Sequence, residues 1–199
     1  MSTRRTTVAT SLTGVAANTA GPSADQYGRT PPASLSNPAD RDTDAVYAVH
    51  NPGTPGATLL NLMGTSPTLD RAIAAHPNTP VSALNQLTRS AIEADNADLL
   101  TALAGNPNTS PQTLARLSGS VWSNVRFTVA GNPSTDATVL SALIIDPDPG
   151  IAAHADSTRR QHLLDYISGL PAHDRQRAHL LLDEGFPGHV HDLHTVLFN

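Results

Sequence analysis

Asn124-Val125-Arg126-Phe127-Thr128-Val129-Ala130-Gly131-Asn132-Pro133-Ser134-Thr135 is the stretch that decides the fold. Its closing phrase, Asn/His-Pro-x-Thr, recurs upstream as Asn51-Pro52-Gly53-Thr54, His76-Pro77-Asn78-Thr79 and Asn106-Pro107-Asn108-Thr109. The prolines are separated by 25, 30 and 26 residues. Leucines keep register with the phrase, five and eight residues after each Thr: Leu59 and Leu62, Leu84 and Leu87, Leu114 and Leu117, Leu140 and Leu143. Four residues before each Pro stand Ala48, Ile73, Leu103 and Val129; eight before the last three stand Leu69, Leu99 and Val125. A degenerate fifth copy puts Asp156 at the Pro place and Thr158 at the Thr place, with Ala152, Leu163 and Tyr166 in the apolar register. Self-similarity at this period is the signature of a solenoid, whose units each pack only on their neighbours.

The chemistry of the phrase predicts a corner. A residue before Pro is pushed out of the α region, so Asn51, His76, Asn106 and Asn132 should each close a short helix. The Thr hydroxyl is expected to cap the helix that follows. Pro55 and Pro80 then stand at the expected first helical position, where a missing N–H costs nothing. In the third unit Ser110 intervenes before Pro111. In the fourth, Asp136 occupies a first-turn site that suits the helix dipole. Leucines three apart share one helical face. The long interval from Pro77 to Pro107 predicts an extra turn or loop around Ser90–Asp98.

Asn-Pro-x-Thr-Pro followed by Leu-x-x-Leu, and preceded by Val-Arg-x-x-Val-Ala, resembles the leucine-rich repeat variant family. Asn124 to Pro133 matches its first half best, and Ile73 to Pro80 its corner. The resemblance implies a right-handed superhelix of alternating 3₁₀ and α-helices. Some members of that family carry a cysteine-bound iron–sulfur domain. This chain has no cysteine, so that part does not transfer.

The expected class is therefore all-α, a helical-repeat solenoid in three parts. Residues 1–43 are rich in Thr, Ser, Ala, Gly, Pro and Asp, show no period, and are expected to form a flexible arm. Residues 44–166 hold five repeats. Residues 167–199 should form a helical cap that shields the last open face of the stack. Gly169 and Gly185 are placed to end its helices, and a last helix should begin near Gly188.

Composition narrows the functional classes. Apolar residues make up 39% of the 199 positions but aromatics only 4%, which suits thin helical layers built from Leu, Val, Ile and Ala. The absence of cysteine excludes disulfides and Cys-ligated zinc. Every basic residue is Arg, and Glu occurs only at Glu93 and Glu184; with abundant Ala, Gly and Pro this looks like a GC-rich coding bias. A net charge of -5 weighs against a phosphate-backbone binder. No stretch has the apolar length of a membrane span. Met1-Ser-Thr-Arg-Arg opens like the start of a secretory signal, but Val8 to Ala20 lacks its apolar core. The expected location is cytoplasmic, or within a particle assembled there.

Candidate sites are few. His189, His191 and His194 form H-x-H-x-x-H, spacing at which imidazoles can ligate zinc or nickel. On a helix only His191 and His194 share a face, so the expectation is surface histidines and no metal. Trp122 would anchor a partner if exposed; as the only tryptophan it is expected to be buried between units three and four. Arg126, with Arg71, Arg116, Arg159, Arg160, Arg175 and Arg177, could contribute to a basic stripe for nucleic acid; solvated or Asp-paired arginine fits the net charge better. His173-Asp174 and His154 with Asp156 do not form a relay on one helix. No nucleophile elbow, phosphate loop, dinucleotide fingerprint or zinc-protease motif is present. No catalytic or cofactor-binding residue is assigned.

The reading is a non-enzymatic adaptor or scaffold, with another protein or copies of itself as partner, and no small-molecule substrate or cofactor. A second reading makes the chain a structural subunit of a larger assembly such as a virus particle, the N-terminal arm making intersubunit contacts. A third is a nucleic-acid-binding helical repeat.

Overall fold

The computed structural model describes residues 38–198, and among these every regular element is a helix. Four helix pairs come first: α1 (Pro38–His50) with α2 (Gly56–Leu62), α3 (Pro67–Ala75) with α4 (Val81–Glu93), α5 (Ala97–Gly105) with α6 (Pro111–Leu117), and α7 (Ser123–Gly131) with α8 (Ala137–Leu143). Then follow α9 (Pro149–Ser168), α10 (Ala172–Asp183) and α11 (Val190–Phe198). Of the expected arm, residues 1–37 lie outside the described residues, and residues 38–43 are the first turns of α1.

Each helix end leaves carbonyls without a partner, and the recurring phrase recovers them. The hydroxyls of Thr54, Thr109 and Thr135 donate to the carbonyls of Ala48, Leu103 and Val129 at 2.7, 2.6 and 2.7 Å, and Thr79 donates likewise to Ile73. The Thr thus closes the helix behind it and does not cap the helix ahead. The N-cap falls one residue later, at Pro55, Pro80, Ser110 and Asp136. Ser110 and Asp136 accept from the N–H groups of Thr113 and Val139 at 3.2 and 2.9 Å. Pro55 and Pro80 cap without any side-chain bond, one place earlier than expected.

The residue before the Pro joins neighbouring units. Asn106 Nδ2 donates to the carbonyls of Ala74 and His76 at 2.7 and 2.9 Å. Asn132 Nδ2 repeats this on Ala104 and Asn106 at 2.6 and 3.0 Å. His76 does the same with an imidazole. Its Nδ1 accepts from the Asn78 N–H at 3.1 Å, so Nε2 carries the hydrogen and donates to the Asn51 carbonyl at 2.8 Å. A second rung comes from the residue after the Pro: Asn78 donates to the carbonyls of Pro52 and Thr54, Asn108 to Pro77 and Ser134 to Pro107.

The leucine register builds the core. Leu59, Leu84, Leu114 and Leu140 are fully buried, as are Ile73, Leu103 and Val129, in one cluster running from Ala45 to Ala155. The first helices of the pairs pack in series, α1 on α3, α3 on α5 and α5 on α7, and α7 packs on α9. The second helices α2, α4, α6 and α8 pack on first helices and on α9, not extensively on one another. The long interval is taken up by helix: α4 has 13 residues where α2, α6 and α8 have 7. After α4, Asp95 turns the chain with a φ of 49°, and Asn96 then caps α5.

The expected fifth corner does not form. Without Pro at position 156 nothing interrupts the hydrogen-bond ladder, and α9 runs unbroken for 20 residues. Ile151 and Ala155 are buried, whereas Ala152 is only partly covered. Asp156 pairs with Arg159 at 2.6 Å. Leu163 and Ile167, on the second half of α9, form a separate cluster with Ala178, Leu193 and Leu197 of α10 and α11.

Candidate functional site

The corner residues are consumed by the fold. What remains is the outward face of α1, α3, α5 and α7, where the repeat register stops being conservative. Six residues before each Pro stand Val46, Arg71, Thr101 and Phe127; nine before stand Thr43, Thr68, Asp98 and Asn124. Val46, Tyr47 and Phe127 are exposed at 49, 52 and 45%. Between them small residues, Ala72, Ala75 and Ala102, floor a cleft of about 460 Å³ walled by His50, Thr68, Arg71, Asp98, Thr101 and Asn124. Asn124 Nδ2 donates to Thr101 Oγ1 at 3.0 Å, tying one unit's wall to the next. A shallower hollow of about 340 Å³ continues past Asn124 to Phe127, Thr128 and Asp148. Beyond it His154 packs on the Phe127 ring, centroids 4.4 Å apart, and against Gly131.

This surface mixes the Arg71 guanidinium, the carboxylates of Asp98 and Asp148, imidazoles, hydroxyls, an amide and apolar ends. Of these residues the sequence singled out Arg71, as a candidate for a basic stripe, and His154, as a candidate for a relay; the others carry no repeated motif. The signal was the reverse: fixed positions in the register whose chemistry changes from unit to unit.

The named candidates fall elsewhere. Trp122 is 40% exposed, not buried. It precedes α7, and its indole N–H donates to Asp95 Oδ1 at 3.1 Å, which ties it to the tight turn after α4. Arg126 is an internal clamp. Its Nε and Nη2 reach both carboxylate oxygens of Asp146 at 2.8 and 3.2 Å, and Nη1 donates to the Ser120 carbonyl at 3.0 Å. The bond to Arg126 holds the Asp146 carboxyl below its ordinary range, and Asp146 in turn raises the guanidinium. Arg159 donates to Asp156 and to the Gly188 carbonyl, and Arg175 and Arg177 to backbone carbonyls in the C-terminal region. Arg71, Arg116 and Arg160 are exposed.

His189, His191 and His194 do not converge. His189 Nε2 meets Ser141 Oγ at 2.6 Å, and His194 Nδ1 meets the Tyr166 hydroxyl at 2.5 Å. Among the described residues no three His, Cys, Asp or Glu side chains are arranged to hold a metal. The three histidines instead border a cavity of about 500 Å³ between α8, α9 and α11, shared with Arg159, His162 and Tyr166. Among the described residues no helix is long and apolar enough to cross a membrane.

No family model, no curated protein and no solved structure matches this chain.

Proposed function

We propose that this chain is a non-enzymatic protein-interaction solenoid, right-handed and of the leucine-rich-repeat-variant kind, with a helical cap. It holds a partner protein on the face of α1, α3, α5 and α7. The observation that carries this reading is the split within each repeat. Constant residues are spent on intrachain bonds, while the variable residues Thr68, Arg71, Asp98, Thr101 and Asn124, at fixed register, line one cleft.

Curvature supports the same face. The first helices touch in series whereas the second helices do not pack extensively on one another, and a concave face in such a stack would be built from the first helices. Concave inner faces are the extended binding surfaces of helical repeats.

The test is affinity capture with the intact chain, read by mass spectrometry. Arg71→Ala with Phe127→Ala is compared with Arg116→Ala on α6, away from the cleft. A discrete partner lost only with the first pair is the expected result. Equal capture by both would sink the assignment of this face. Light scattering on the same samples separates a monomeric module from a self-assembling subunit.

A further inference from the structure

The C-terminal helix meets the repeats across imidazoles. His189, just before α11, is hydrogen-bonded to Ser141 on α8. His194 on α11 is bonded to Tyr166 on α9. His162 on α9 lines the same cavity, and its Nε2 is buried without a hydrogen-bond partner. Arg159, 9% exposed, brings a permanent positive charge and donates to the carbonyls of Phe186 and Gly188, in the loop leading to α11.

We propose that this cluster makes the docking of α11 acid-labile, so that protonation of His189 releases the helix from α8 and α9.

Every carboxylate near the cluster is already committed. Asp136, at the N-terminus of α8, accepts from the Val139 N–H at 2.9 Å. Asp192 accepts from the backbone N–H of His189 at 2.8 Å. Asp156 is paired with Arg159. Among the described residues α10 contributes nothing to the cavity lining. A positive charge at His189 faces Arg159 from α9, itself paired with Asp156, and is opposed by Asp192. It also shares the cavity with the further imidazoles of His162, His191 and His194.

Burial first, then Arg159 and His162, hold His189 below the ordinary histidine value of 6.5, against the opposing pull of Asp192. Because the docked form resists protonation, the contribution of His189 to docking is fully present above that value. That contribution is lost progressively as pH falls below 6.5, where the undocked imidazole takes up a proton first.

The geometry allows release as a unit. Gly185, at a φ of 86°, and Gly188 flank Pro187 in the connection to α11. The cluster of Leu163, Ile167, Ala178, Leu193 and Leu197 is separate from the repeat core, so its opening leaves the repeats packed. Release would uncover the apolar side of α11 at Leu193 and Leu197.

The test is hydrogen–deuterium exchange on the full chain at about pH 7.5 and about pH 5.5, corrected for intrinsic exchange. The expected result is severalfold faster exchange of α11 amides in acid, with α5 and α7 unchanged, and a much smaller difference in His189→Gln. Glutamine keeps a hydrogen-bonding group for Ser141 and cannot titrate. Repeating the series in His76→Asn removes the buried histidine of the repeats. Equal protection of α11 at both pH values would overturn the proposal. So would uniform loss across all helices in the His76→Asn background, or an undiminished response in His189→Gln.

Discussion

Replacing Asn106 tests the link between units directly. Its side chain is 1% exposed and makes three bonds: Nδ2 to the carbonyls of Ala74 and His76, and Oδ1 from the Asn108 N–H at 2.9 Å. The His76 carbonyl keeps a second partner, the Thr79 N–H. The Ala74 carbonyl belongs to the last turn of α3, where the helix ladder no longer serves it. Asn106→Ala removes all three bonds, at about 0.5–1.5 kcal/mol each, and desolvates a carbonyl worth about 1–3 kcal/mol. Partial relaxation brings the expected loss to about 2–4 kcal/mol, against a total stability of about 5–15 kcal/mol for a domain. Asn106→Asp keeps the local turn but sets a buried carboxylate against two carbonyls, so it should lose at least as much. Asn106→His should be mildest, because His76 already fills the same role with one donor and one acceptor. Urea melts followed by circular dichroism read all three. The Ala variant should also lower the denaturant slope if the stack uncouples at α3–α5. An Ala variant within about 0.5 kcal/mol of wild type, or Asp no worse than His, would refute the reasoning.

Thr79→Val removes the hydroxyl that closes α3 and should cost about 1–3 kcal/mol in a melt; Ser110→Ala and Asp136→Ala remove true N-caps and should cost about 0.5–2 kcal/mol each. Asp146→Asn should flatten the acid limb of the stability curve. Its lowered carboxyl contributes fully above the ordinary value of 3.8 and loses that contribution as pH falls toward its value in the fold, so denaturant midpoints below about pH 4 should converge on wild type. Arg126→Lys breaks the two-oxygen clamp and should cost about 1.5–3 kcal/mol at neutral pH. Gly131→Ala drives a methyl into the His154 ring and should cost about 1–3 kcal/mol, with His154→Ala recovering part of the loss in the double variant.

How far the chain was legible follows from the range of each interaction. The helix–corner–helix unit, the leucine faces and the helix ends at Gly169 and Gly185 were legible, because they rest on local backbone rules and a periodicity that one strand of text carries. The place of the Thr hydroxyl was misread. Capping forward and closing backward use the same residue types at the same spacing, and only the placed backbone separates them. The fifth corner was read into a register that Asp156 does not enforce, since only proline removes the donor and blocks the helix.

Sequence alone determined the helical character of the described residues and the proline corners between the helices, because proline and leucine spacing act within a few residues. Tertiary structure alone decided the rest. Asn106 and Asn132 reach carbonyls of the preceding unit, Arg126 is spent on Asp146, Trp122 stands exposed, and His162, His189, His191 and His194 line one cavity with Arg159. Each of these depends on groups 20 or more residues apart meeting within hydrogen-bond distance or around one cavity, which no local pattern specifies.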